Sequence, residues 1–466
     1  MKYTVLVNKN NRISNNYLNK IDLIMTKNVL GKDIYIEQET YNNYLKLKEF
    51  ISNELNIDIG IDTAYRDNNH QERIYNHYLE TKGKDYCDKY VALVGYSEHH
   101  TGLAIDIDVK INNDYMYSDD NFDLTEPVLK KIHPYLHKFG FILRYPENKE
   151  NITGYNYEPW HIRYVGEIPA TIIYENNLTL EEYLNDFGCI LYINKPKDIT
   201  SFDAVHKISN IFGIKKVGHT GTLDPLATGV MLVCVGKATK IVELLTAEDK
   251  EYIAEVKLGI KTDTLDITGE VLETRDVPKD LNIIETLNSF KKTYLQEVPI
   301  YSAVKVNGKK LYDYARSDIE VLLPKREVDI KELEIISIDK DIVKIKCLVS
   351  KGTYIRSLIN DIGIKLKCGA IMINLRRTKQ GIFNIDDSYK ISDVRDNNYK
   401  FINILDVIEY KKIEVDDFLY SKIKNGSILE NRYNTDIVAF IKDNELVAIY
   451  KEYEKDKTKM KPWKML

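Results

Sequence analysis

The chain has 466 residues, 44% of them apolar, which predicts a soluble globular protein of two or three domains; the net charge of −5 by itself says little about partners. No apolar run is long enough to cross a membrane. Charge is unevenly divided: residues 1–188 hold 20 Lys+Arg against 29 Asp+Glu, a net of −9, and the remainder holds 46 against 42, a net of +4. An acidic front and a mildly basic back predict two units with different partners.

The N-terminus, from Met1 to Asn10, lacks the sustained apolar core and small-residue cleavage site of a secretory signal. The five cysteines, Cys87, Cys189, Cys234, Cys347 and Cys368, are widely spaced with no CxxC pair. Both features predict a cytoplasmic protein with reduced, buried thiols.

In the front unit, Tyr44, Leu45, Leu47 and Phe50 approach helical spacing over Tyr41–Leu55, and a strand is expected over Ile57–Ile61. Ser97-Glu98-His99-His100-Thr101-Gly102-Leu103-Ala104-Ile105-Asp106 follows, and much later Glu158-Pro159-Trp160-His161. Two histidines and an aspartate form a sensible ligand set for a catalytic zinc that keeps a fourth position for water. Glu158, three residues before His161, is near enough to take a proton from that water. The joint pattern resembles the zinc D-alanyl-D-alanine carboxypeptidases of the VanY type. Gly140-Phe141-Ile142-Leu143-Arg144-Tyr145-Pro146 and Ile152-Thr153-Gly154-Tyr155 extend the likeness over most of residues 1–166. The resemblance implies that His99, Asp106 and His161 bind zinc, that Glu158 is the general base, and that Arg66 holds the substrate carboxylate. His100 competes as a ligand, and the family spacing favours His99. The implied substrate ends in D-Ala-D-Ala; without an export signal, cytoplasmic muropeptides or D-Ala-D-Ala itself are the candidates.

Leu178–Asp186 reads as a helical linker or the end of the front unit, and Cys189–Ile193 as the strand that begins the back unit. A helix N-capped by Thr200 or Ser201 carries Phe202, Val205, Ile208 and Ile211 as its apolar positions. Then comes Gly218-His219-Thr220-Gly221-Thr222-Leu223-Asp224-Pro225-Leu226-Ala227-Thr228-Gly229, a glycine-rich loop whose one charged residue is Asp224. Pro225 pushes Asp224 toward an extended conformation, so a stiff loop presents a single acid. A strand over Val230–Val235 should lie beside it, and another over Glu251–Gly259 places Tyr252 on its apolar face. Tyr301-Ser302-Ala303 and Lys351-Gly352-Thr353-Tyr354-Ile355-Arg356, the latter opening a helix, complete the pattern.

Together these segments resemble the bacterial tRNA pseudouridine synthases of the TruB family over residues 189–383. The resemblance implies a cofactor-free isomerisation of uridine 55 in the T loop of tRNA, with Asp224 acting as nucleophile or base. Arg356 would keep Asp224 ionised, Tyr252 would stack on the uracil and help move its C5 proton, and His219 would help hold the opened T loop. Lys215, Lys216, Lys305 and Arg316 could reach phosphates. Beyond residue 400, alternation over Asp436–Ile441 and Glu445–Tyr450 signals a hairpin, and the tail resembles a PUA-like RNA-binding module. The expected class is multidomain α+β: a small zinc peptidase domain over 1–186, a mixed-sheet synthase domain over 187–400 and a C-terminal β module over 401–466, acting as a monomer. The alternative is a zinc peptidase carrying a tRNA-binding or tRNA-folding module without chemistry.

Overall fold

The computed structural model describes residues 2–118 and 120–466. It divides into two compact units, Met1–Phe187 with Ser209–Lys216, and Gly188–Ile208 with Val217–Leu466. Among the described residues no helix is long and apolar enough to cross a membrane.

The first unit is built around the helix Gln38–Leu55 and a five-stranded antiparallel sheet. The helix buries Thr40, Asn43, Tyr44, Leu47 and Ile51, a stripe at three- and four-residue spacing. Leu45, expected on that stripe, instead faces solvent. The helix starts earlier than its apolar pattern, because the buried Glu37 carboxylate accepts from the Thr40 backbone N–H at 2.8 Å and caps the first turn. The sheet runs Ile59–Thr63, Ala104–Ile111, His161–Tyr164, Phe141–Leu143, with Asp114–Met116 on the far end of Ala104–Ile111. Ile105, Ile107, Val109 and Ile162 are fully buried in it. Its register sets Asp106 directly opposite both His161 and Thr63, so ladder pairing brings together residues far apart in the chain.

The second unit is dominated by a nine-stranded sheet. Its order is Thr293–Glu297, Lys325–Asp339, Ile342–Val349, Lys250–Leu258, Ala370–Gln380, Thr228–Gly236, Gly188–Lys195. Two short strands, Val217–His219 and Phe383–Asn384, lie off that path. The helix Ile355–Lys365 buries Ile355, Leu358, Ile359 and Ile362. Thr200 caps the helix Ser201–Phe212 by exchanging hydrogen bonds with Asp203. That helix buries Ala204 and Ile208, whereas Phe202, expected on the buried face, is 73% exposed.

The C-terminal β module is a five-stranded sheet, Lys411–Glu414, Ile437–Lys442, Glu445–Tyr453, Asp456–Met465, Leu429–Glu430. Val438, Phe440, Tyr450 and Met460 form its core. Lys442 pairs with Glu445, leaving Asp443 and Asn444 as a two-residue turn with φ of 51° and 61°. Asp and Asn tolerate that left-handed turn, whose twist matches the flanking strands. The free cysteines are all buried: Cys87 in the first unit, the other four in the second.

One close approach fixes the glycine-rich loop to the sheet. Thr228 and Gly229 run parallel to Arg376 and Arg377, and Gly229 has φ 116°. A Cβ there would lie 2.2 Å from the Arg377 carbonyl oxygen. Gly229→Ala is therefore expected to destabilise the second unit by roughly 2 kcal/mol or more, since overpacking of this kind costs about 1–3 kcal/mol and the backbone conformation adds to it. Chemical denaturation followed by signals from the second unit checks this; an unchanged midpoint would refute it.

Candidate functional site

In the first unit the short 3-10 turn Glu98–Thr101 delivers His99 into a cavity of about 1020 Å³ that Arg66, Asp106, Glu158, Trp160 and His161 also line. The His99 Nδ1 lies 2.6 Å from the Ala64 carbonyl oxygen, which fixes the proton there and leaves Nε2 as a free lone pair, 3.1 Å from Asp106 Oδ2. His161 Nδ1 lies 3.0 Å from Asp106 Oδ1 and 3.6 Å from Glu158 Oε2. Despite that 3.0 Å separation, Asp106 Oδ1 has no aligned hydrogen-bond partner among the described residues. One ligand atom from each of His99, Asp106 and His161 falls within 4.8 Å of the other two. Two imidazoles and a carboxylate converging on one small space are the donor set of a three-ligand zinc site.

His100 is not part of this cluster. Its Nδ1 lies 2.7 Å from the Arg66 carbonyl oxygen and its Nε2 accepts from the Gly95 N–H, so both nitrogens are committed to backbone. Arg66 donates from NH2 to Asp106 Oδ2 at 2.8 Å, an ion pair that sequence spacing did not indicate. Burial pulls His99 down to about 4, with Arg66 adding to it. Burial acts the same way on His161, but Asp106, Glu98 and Glu158 together outweigh it and raise the imidazole to about 9. Such a surplus of negative charge favours any cation at Nδ1, a metal ion included.

In the second unit Asp224 sits in a turn closed by the Ala227 N–H on the Asp224 carbonyl, 3.0 Å. The hydroxyl of Ser201 accepts from Leu223 N–H at 2.9 Å and donates to the Leu223 carbonyl at 3.0 Å, clamping the residue before it. Lys195, with no exposed surface, donates to the carbonyls of Pro196 and Ile199 at 2.8 Å and reaches that of Pro225 at 3.4 Å. The loop is thus held from behind as well as by its own proline.

Arg356, in the first turn of Ile355–Lys365, meets the Asp224 carboxylate twice, Nε to Oδ2 at 2.9 Å and NH2 to Oδ1 at 3.2 Å. It also donates to the carbonyls of Thr264 at 3.1 Å and Tyr301 at 3.0 Å, with Asp266 Oδ2 3.7 Å away. Leu265, between Thr264 and Asp266, adopts φ 63°, a left-handed conformation unusual for a leucine. Burial pushes the Asp224 carboxyl above its ordinary value; the opposite charge of Arg356 pulls it down and is outweighed, and Asp266 adds to the rise.

Tyr252 is 6% exposed and pairs across the sheet with Arg377 and Cys347. Burial raises its phenol, against the pull of Arg377. Arg377 is itself buried and donates from Nε to the Val230 carbonyl at 2.6 Å and from NH2 to that of Gly221 at 3.2 Å. His219 is half-buried; its Nδ1 accepts from the Gly221 N–H at 3.3 Å, and burial followed by Arg377 lowers its pKa. Lys215, Lys216, Lys305 and Arg316 are exposed. Lys195, Asp266 and the structural role of Arg377 escaped sequence reading. Lys195 carried a weak signal, a lone lysine ending an apolar strand just before a proline.

Comparison with known proteins bears on both units. Residues 209–355 match the model of the TruB family pseudouridylate synthase N-terminal domain, and residues 356–407 that of the tRNA pseudouridylate synthase B C-terminal domain. Residues 33–167 match the VanY model, D-alanyl-D-alanine carboxypeptidase. The tRNA pseudouridine synthase B of Clostridium tetani is 43% identical over 268 residues, 56% of this chain and 92% of that protein. A crystal structure of a Cbf5–Nop10–Gar1 complex aligns with 61% of this chain and 85% of its own at 27% identity, TM-score 0.45. A zinc complex of a mutant vancomycin-resistance D,D-pentapeptidase VanY aligns with 40% of this chain and all of its own at 29% identity, TM-score 0.34. The chain therefore belongs to the TruB family of pseudouridine synthases, and it carries a VanY-type carboxypeptidase domain ahead of the synthase.

Proposed function

We propose that the second unit converts uridine 55 in the T loop of tRNA to pseudouridine, and that residues 1–186 form a zinc D,D-carboxypeptidase acting on D-Ala-D-Ala-terminated peptides. The observation that carries the first activity is a lone carboxylate on a braced loop, gripped at both oxygens by a buried arginine. The isomerisation breaks the bond between uracil N1 and ribose C1′ and rejoins C1′ to uracil C5, so a proton leaves C5 and one is gained at N1. It consumes no cofactor or energy source.

Asp224 is the catalytic carboxylate, attacking the nucleotide or removing a sugar proton. Arg356 orients it, Tyr252 stacks on the uracil and assists transfer of the C5 proton, and His219 supports the opened loop. The target base has to leave its stack, at a cost of a few kcal/mol. The exposed Lys305 and Arg316 offer phosphate contacts, and residues 401–466 extend the RNA-binding surface beyond a catalytic domain over 187–400.

In the peptidase domain His99, Asp106 and His161 would hold zinc, which would supply Lewis acidity toward the scissile carbonyl. Glu158 takes the proton of the attacking water and returns it to the departing D-alanine nitrogen. Arg66 serves the substrate carboxylate with the guanidinium nitrogens not engaged by Asp106. The tRNA substrate proposed for the second unit sets both activities in the cytoplasm.

Asp224→Asn is expected to abolish pseudouridine in tRNA transcripts while tRNA still binds; undiminished product would reject Asp224 as the catalytic group. Because the raised Asp224 carboxyl must be ionised to act, the rate should climb with pH through a limb above the ordinary aspartate value of about 3.9. Arg356→Lys, which keeps the charge but loses the two-point grip, should move that limb higher, and single-turnover rates across pH read both effects. For the peptidase, one zinc per chain should co-purify and be lost in His161→Ala. Glu158→Ala should retain zinc yet cease to release D-alanine. A folded wild-type chain without zinc would reject the metal site and leave the synthase reading intact.

A further inference from the structure

Behind the histidine cluster lies a set of buried charges with no place in the chemistry described so far. If His161 presents Nδ1 to a metal, its ring proton resides on Nε2, and Nε2 lies 3.9 Å from Glu98 Oε2, within reach of an ion pair and beyond a hydrogen bond. Both atoms are buried, and neither has a hydrogen-bond partner among the described residues. Every other strong contact of Glu98 falls on its second oxygen: Oε1 accepts from Arg144 Nε at 2.8 Å and from Arg163 NH1 at 2.7 Å. One oxygen is therefore fastened twice and the other is left facing the imidazole.

The fastening continues outward. Arg144 donates from NH1 to Glu181 Oε2 at 3.0 Å and from NH2 to Glu181 Oε1 at 2.7 Å, a fork-on-fork contact with the helix Leu180–Asp186. Asn8 donates to Glu181 Oε1 at 2.9 Å. Arg163 NH2 donates to the carbonyls of Tyr3 at 3.0 Å and Val5 at 2.8 Å. Two arginines and two glutamates balance one another, and removing the charge of Glu98 would leave uncompensated positive charge behind a cation site. Asn8, Tyr3, Val5 and Glu181 all lie outside the segment 33–167 that matches the carboxypeptidase family model.

We propose that Glu98 is a positioning residue for the metal site, its free Oε2 attracting the Nε2–H edge of His161 by charge, and that Arg144 and Glu181 anchor it, so that chain on both flanks of the matched segment helps build the site. This rests on the zinc reading above. A carboxylate behind a metal-bound imidazole fixes its tautomer and raises its basicity, and losing such a partner weakens metal affinity by about 10- to 100-fold.

The test uses the full chain, with zinc affinity measured by chelator competition and the visible spectrum recorded on the cobalt-substituted protein. Glu98→Gln, which keeps the shape and removes the charge, should weaken zinc by about tenfold or more and alter the cobalt spectrum. Glu98→Asp should recover part of the loss. Glu181→Gln, which touches no ligand, should weaken zinc in the same direction by a smaller factor. A purely structural network would lower thermal stability in these variants and leave zinc affinity at the wild-type value, and that result in folded Glu98→Gln overturns the proposal. Should Glu98→Gln fail to fold, wild-type affinity in Glu181→Gln overturns it instead. A wild-type chain that binds no zinc overturns this inference together with the reading beneath it, whereas equal zinc affinity in wild type and variants overturns the positioning role alone.

Discussion

Arg356 and Asp224 meet at two points, 2.9 and 3.2 Å apart, where the arginine side chain is 6% exposed and the aspartate one-third exposed. A guanidinium withdrawn from water needs acceptors for its donors, and one carboxylate does not supply enough of them. Arg356 finds the rest in the carbonyls of Thr264 and Tyr301. One cation thus ties together the glycine-rich loop, the turn around Leu265 and the segment leading to Ser302, three stretches with no reason to be neighbours in the chain. The first unit meets the same demand around Glu98, where the opposing charges are fully buried. Breaking one side of a buried pair costs about 3–5 kcal/mol, far more than a surface pair. Both candidate sites are therefore coupled to the stability of the unit that holds them.

Asp224, His99, Asp106, Glu158, His161 and Arg356 were legible in the sequence because their neighbours leave a local trace: glycines and a proline around one acid, or histidine and aspartate at a spacing that a turn and a strand can bring together. The strands and the C-terminal hairpin were legible from alternation and from the Asp443-Asn444 turn. What stayed hidden depends on partners far along the chain. Glu98 sits 46 residues from Arg144 and 65 from Arg163, and Lys195 reaches a carbonyl 30 residues on. None of these separations leaves a period or motif to read.

The misplaced residues have a related cause. Phe202 and Leu45 were assigned to buried faces by spacing alone, and each is exposed because it lies more than a quarter turn round its helix from the covered stripe, Ala204 and Ile208 in one case and Tyr44, Leu47 and Ile51 in the other. The direction of the Asp224 shift lay beyond a sequence's reach for a similar reason. A sequence displays an opposite charge but not how far the pair is withdrawn from water, and here withdrawal prevails.

The five thiols give the molecule an internal clock. Each is buried and unpaired with another cysteine, so a thiol reagent reaches it only when its surroundings open. Cys87 reports on the first unit; Cys189, Cys234, Cys347 and Cys368 report on strands and a turn of the second. Rates of modification, resolved by mass, would time the opening of the two units separately within one intact chain, without a truncation. The same enclosure keeps the thiols from oxidative coupling between molecules for as long as the fold stays shut.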